Sequence, residues 1–154
     1  MGITQVQSTT FLSDTINLIR DKIKNGIEDP IFDSRPSGQK LCYTSYPQNA
    51  VTYPIISIVD RGINQVSRLG MASEGALISL NVEIRIWARN VKERDGIFDS
   101  VYSFLRQDQL DATSGLADSN LHDFQLLSAV NIDEDGEGGP RSKVCEYQFL
   151  IIVD

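Results

Sequence analysis

Leu77-Ile-Ser-Leu-Asn-Val-Glu-Ile-Arg-Ile-Trp87 alternates apolar and polar residues with a strict period of two. Ile78, Leu80, Val82, Ile84 and Ile86 fall on one side, and Ser79, Asn81, Glu83, Arg85 and Trp87 on the other. Only an extended strand keeps such a pattern on two faces, so the segment predicts a long strand with one dry and one wet face. A helical pattern follows almost at once. Asn90 is placed to cap it, with Glu93 three residues on as a capping box requires. Ile97, Phe98, Val101, Phe104 and Leu105 supply its apolar stripe. No glycine-rich phosphate loop, nucleophile or metal cluster occupies the strand-to-helix junction.

The rest of the chain yields a coarse order. Residues 1–10 are polar and read as a flexible arm. Phe11 to Ile27 read as a helix, with Leu12, Ile16, Ile19 and Ile23 on one face. Thr10 or Ser13 can cap its start and Gly26 its stop. Leu41 to Ser45 form a short strand candidate. Residues 53–60 form a second, with Pro54 near its start. Residues 61–76, with Gly62, Gly70 and Gly75, read as a mobile loop or a loosely held hairpin. Residues 108–120 read as a polar connector. Phe124 to Ile132 and Val144 to Val153 read as two strands of an antiparallel hairpin, joined by a mobile acidic loop within 133–143. On the last strand Tyr147, Phe149, Ile151 and Val153 share a side. The economical arrangement is a single α+β domain over 1–154. It is a mostly antiparallel sheet of four to five strands with two helices packed on one face.

Composition narrows the function classes. The 154 residues carry 21 acids against 14 bases, a net charge of −7. That balance argues against tight binding of a phosphate backbone or an anionic membrane surface. No apolar run approaches the ~18 residues of a membrane span. Met1 to Val6 show neither a secretory signal nor a myristoylation pattern. Cys42 and Cys145 stand alone, which predicts two buried or half-buried thiols in a reducing compartment.

Candidate chemistry is sparse. His122 is the single histidine. Adjacent residues point apart on a strand, so His122-Asp123 is no catalytic pair, and an exposed loop histidine is expected. No Gly-x-Ser-x-Gly elbow is present. Asp133, Glu134, Asp135 and Glu137 resemble a fragment of a calcium loop. They lack its twelve-residue spacing and closing Glu, so a solvated hairpin loop or an acidic contact for a basic partner are the other readings. Arg94 sits in a helical first turn, where a cation opposes the dipole, and it is expected to pair with an acid or to be solvated. We therefore expect no catalytic residue, no cofactor and no metal.

Three stretches carry a resemblance. They are Tyr53-Pro54-Ile55-Ile56-Ser57-Ile58, then Ile84-Arg85-Ile86-Trp87-Ala88, then Glu93-Arg94-Asp95 opening a helix with Val101-Tyr102-Ser103-Phe104-Leu105. In order and texture, from Leu12 to Val153, the chain resembles the tail-terminator (tail-completion) proteins of tailed phages. The resemblance implies a non-enzymatic virion protein of the tail or neck, assembled in the host cytoplasm. It implies a homohexameric ring that caps the tail tube and docks to a head-completion or neck protein. Genomic DNA would pass through the lumen without specific binding, eased by an acidic wall. Interface candidates are then Glu83, Arg85 and Trp87 on the wet face, Arg61, Arg68 and Met71 in 61–76, and Asp133, Glu134, Asp135, Glu137 and Arg141 around the acidic loop. A neck adaptor, a minor tail protein, a non-viral binding module and an enzyme are the rival readings.

Overall fold

The computed structural model describes residues 10–46, 51–69, 75–111, 113–133 and 140–153. Two helices and five strands follow in the order α1 (Phe11–Gly26), β1 (Cys42–Tyr43), β2 (Ile55–Leu69), β3 (Gly75–Ala88), α2 (Val91–Leu110), β4 (His122–Asp133) and β5 (Arg141–Val153). The strands form one sheet in the order β1-β2-β3-β5-β4. Only β1 and β2 run parallel; the other neighbours are antiparallel. The protein is thus α+β, with its helices packed against the sheet, as the periodicities predict.

The dry face of β3 forms the centre of the core. Leu80, Val82, Ile84 and Ile86 are buried completely, together with Ile56 and Ile58 of β2 and Cys145, Tyr147, Phe149 and Ile151 of β5. Leu18, Ile19 and Ile23 of α1 and Ile97, Val101 and Leu105 of α2 close over them. Each such side chain contributes about 1.5–3 kcal/mol on leaving water, before conformational entropy is counted. The α1 stripe is rotated from the expected one. Leu18 replaces Leu12 and Ile16, which sit at the margin. Thr15 is buried beside it because its hydroxyl donates to the Phe11 carbonyl at 2.6 Å.

Gly26 does not act as a left-handed cap. It is the last helical residue, and Ile27 continues in extended conformation. A Cβ on Gly26 would lie 2.1 Å from the Phe104 ring. The glycine is there because α1 approaches α2 closely. The α2 cap is the expected one: Asn90 Oδ1 accepts the Glu93 N–H at 2.8 Å. Glu93 reaches back one residue further than a capping box does, to the Arg89 N–H at 3.1 Å. Asn90→Ala is expected to cost about 1 kcal/mol, read as a lower urea midpoint with an unchanged slope.

The described residues take the hairpin alternative for 61–76, and strand extends into both ends of 133–143. Residues 61–69 are strand, because β2 runs on to Leu69 and pairs with β3 as far as Gly75. Register shifts at Asp60/Gly62 and Gln65/Ser67 break the period of two twice, which hides the strand from pattern reading. Gly62 supplies the first kink at φ 141°, a value that suits glycine. Around the acidic loop, Asp133 still belongs to β4 and Arg141 opens β5, each paired with the other. The 108–120 connector also differs. α2 continues to Leu110, and the turns after it send Leu116 and Leu121 into the core. Lys22 fastens this connector to α1, pairing with Asp108 at 2.9 Å and donating to the Ser114 carbonyl at 3.2 Å. Apart from Thr10, the expected N-terminal arm lies outside the described residues.

Candidate interface surfaces

The sheet has one face covered by helices and one without them. On the helix-free face Ser79, Asn81, Glu83, Arg85 and Trp87 of β3 meet Leu150, Gln148, Glu146, Val144 and Ser142 of β5 across the ladder. This is not the open wet face expected from the alternation. Glu83 is 3% exposed and Ser79 is buried. Glu83 and Glu146 stand directly opposite, an unfavourable pairing for like charges. Each is compensated separately. The Tyr46 hydroxyl donates to Glu83, and Asn81 Nδ2 donates to Glu146 at 3.1 Å. Gln148 Nε2 extends the ladder to Ser79 Oγ at 2.7 Å.

Tyr46 also closes on Trp87, edge to face with centroids 6.0 Å apart. The Arg85 guanidinium lies 4.7 Å from the centre of the Trp87 ring, in cation–π range. Glu83, Arg85 and Trp87 are therefore brought together, and Tyr46, which pattern reading missed, ties them. Burial, and then the bond to Glu83, push the Tyr46 hydroxyl above its ordinary pKa. The only sequence signal for it was the Tyr46-Pro47 strand breaker.

The remaining candidates scatter. Arg61 is exposed on β2, at the first register shift. Arg68 pairs with Ala76 near the far end of the β2–β3 hairpin. Arg141 is half-buried between Ala88 of β3 and Asp133 of β4. Met71, Glu134, Asp135 and Glu137 lie outside the described residues.

Pattern reading also missed the exposed apolar surface of β4, which is an edge strand. Leu126, Leu127, Val130 and Ile132 are exposed on it, Leu127 at 45% and Val130 at 56%. No charged residue falls between Asp123 and Asp133. At the opposite edge β1 covers only Ile56 and Ser57. Beyond them, among the described residues, the outer side of β2 has no strand partner. Ile63 and Val66 are exposed there.

The reactive side chains are engaged structurally. His122 is half-buried at the start of β4, 3.1 Å from Asn120 Oδ1. Asp123 accepts from Gln125 instead. Asn120 also clamps Ile152, donating to its carbonyl at 2.7 Å and accepting its N–H at 3.2 Å. Cys42 and Cys145 are free and buried, and burial pushes both thiols up to about 12. Arg94 is buried, with Asp95 bonded to it at 3.0 Å and to Lys143 at 3.2 Å. A shallow groove of about 430 Å³ runs past Ile27, Pro30, Asn90, Lys92 and Ile97. Glu28 and Glu93 also line it, and Glu93 is held by Arg89, whose guanidinium keeps it below the usual carboxylate range. Among the described residues no group of three or more His, Cys, Asp or Glu is placed to hold a metal. No described helix is long and apolar enough to cross a membrane. Compared with known protein families and curated proteins, the chain matches none.

Proposed function

We propose that this protein is a ring-forming tail terminator of a tailed phage. In this reading six copies close into a ring that caps the tail tube and docks it to the neck. It is a virion structural protein whose work is geometric, and it catalyses no reaction. The observation that carries the reading is the β4 edge. A long, apolar edge strand without lysine or proline, and without a covering strand among the described residues, invites pairing with another chain. A subunit with two open edges on opposite sides of one sheet suits head-to-tail association, and head-to-tail contacts whose rotation closes make rings.

The helix-free face then bounds the lumen, with the helices outside. That face carries Glu83 and Glu146 against Arg85 on β3 and β5, with Ser79, Asn81 and Gln148 between them. Among the described residues it has no basic stripe to hold phosphates, so DNA would slide past it rather than bind.

Native mass spectrometry tests the reading. A hexamer that binds the ends of purified tail tubes is the expected result. A closed ring that binds capsid necks but not tube ends would transfer the protein to the head-completion adaptors. A chain that stays monomeric at every concentration, with tube ends present, would overturn ring formation altogether.

A further inference from the structure

We propose, building on the ring reading, that the β4 edge of one copy pairs antiparallel with the outer edge of β2 in the next copy, aligning Val130 with Asn64.

The direction follows from the sheet. Each step β2–β3, β3–β5 and β5–β4 is antiparallel, so β4 runs opposite to β2. Rotating a copy about a ring axis along the strands brings β4 beside the neighbour's β2 and continues the alternation. Antiparallel pairing needs no crossover and satisfies the backbone groups that both edges leave open.

The register follows from face matching and side-chain fit. On β4, Val130 and Ile132 pair with Val144 and Ser142, which belong to the helix-free face. On β2, Gly62 and Asn64 pair with Asn81 and Ser79 of that same face. A joint sheet must keep the faces continuous, which excludes every register shifted by a single residue. Among those left, one places Asp133 opposite Arg61, Ile132 opposite Gly62 and Val130 opposite Asn64. It seats an exposed isoleucine against a glycine whose missing Cβ would meet nothing within 4 Å. In the same register Leu127 falls opposite Ser67 and Val66 opposite Ser128, so the exposed residues at the two bulges are diagonal neighbours across the contact. These are Leu127, between Leu126 and Ser128, and Val66, between Gln65 and Ser67. Val66 is 56% exposed, and both would leave water together.

Cysteine pairs test the contact without interference, because Cys42 and Cys145 are buried. The double variant Asn64→Cys/Val130→Cys, mildly oxidised in the full chain, is expected to give a reducible ladder that stops at the ring size. Mixing the two single variants should yield covalent dimers and nothing larger. Val130→Cys alone should stay uncrosslinked. Crosslinking of Val130→Cys alone would mean that two β4 edges meet across a two-fold axis, and it would overturn the proposal. A ring seen by native mass spectrometry whose double variant forms no disulfide would also overturn it, while leaving ring assembly intact. A monomer that never assembles would overturn both. Leu127→Lys gives a second readout. It should shift assembly to at least tenfold higher protein concentration with an unchanged circular dichroism spectrum, and unchanged assembly would count against the contact.

Discussion

Gly115→Ala is expected to destabilise the protein by about 3 kcal/mol or more, lowering the melting temperature by roughly 6–12 °C in a domain of this size. A Cβ at Gly115 would lie 2.0 Å from the Asp108 carbonyl oxygen and 2.4 Å from that of Asp111. Both are backbone atoms, so no side chain can swing aside. The Asp108 carbonyl is already committed, accepting N–H groups from Leu116 at 3.1 Å and from Asp111 at 3.3 Å. Asp111 in turn holds Thr113 and Ser114 through its carboxylate, and those bonds bring it down to about 2. The turn must open to admit the methyl group. Opening it withdraws Leu116, which is buried and whose carbonyl accepts the Leu121 N–H at 2.9 Å. Gly96→Ala is the matching control. Gly96 is exposed on α2, and a Cβ there meets nothing within 4 Å. That substitution should stabilise by up to about 1 kcal/mol through helix propensity. Thermal melts followed by circular dichroism should move in opposite directions for the two variants. Equal melting temperatures would mean that the turn does not pack as described.

Gly115 also marks where sequence reading stops. A Ser-Gly pair in a polar stretch signals a turn, and that much was legible. Nothing local tells that Leu116 and Leu121 plug the core, because two leucines without periodicity give no face. The contrast with β3 is instructive. Its alternation survives because it is a central strand, paired on both sides without a register shift against β5. β2 and β4 lie nearer the edges and carry bulges, and each bulge moves the following residues to the other face. For that reason the pattern over 61–69 leaves loop and loose hairpin equally open, and it shows the β4 strand without its exposed apolar surface. The α2 cap reads well, since Asn90 and Glu93 act within one turn, whereas at α1 Thr10 makes no side-chain cap bond and donates to the Asp14 carboxylate instead. Gly26 read less well, because its constraint comes from Phe104 on another helix. Among the candidate interface residues, Glu83 looked solvent-facing because period two specifies a face but not what covers it. Its cover, Tyr46, comes from a segment far away in sequence.

Arg35→Ala carries the second large effect, about 3–5 kcal/mol at neutral pH. Arg35 is the clamp between the loop after α1 and the entry to β2. Its side chain is 5% exposed. It grips Asp29 with two nitrogens, at 2.6 and 2.8 Å, and donates to the carbonyls of Thr52 at 2.9 Å and Pro54 at 2.8 Å. Removing the guanidinium leaves a carboxylate and two carbonyls poorly solvated, which costs more than the pair itself was worth. Arg35→Lys should recover little, because an ammonium cannot present the planar fork. The hydrogen bonds from Arg35 hold the Asp29 carboxyl below its ordinary value, against the opposing effect of burial. The folded state therefore binds this proton less readily than the unfolded chain. The stabilisation is fully present above the unfolded carboxyl pKa of about 4 and fades as pH falls through the lower folded value. In the variant only burial and the Ile31 N–H at 3.1 Å act on Asp29, so its charged form loses its main support. The stability gap between wild type and Arg35→Ala should consequently be widest at pH 7 and narrow steadily below pH 4. Urea titrations of both proteins at pH 7 and pH 3 measure this directly. A gap that stays constant across that range would show that the clamp acts through its carbonyl bonds alone, and that the Asp29 charge contributes nothing to the fold.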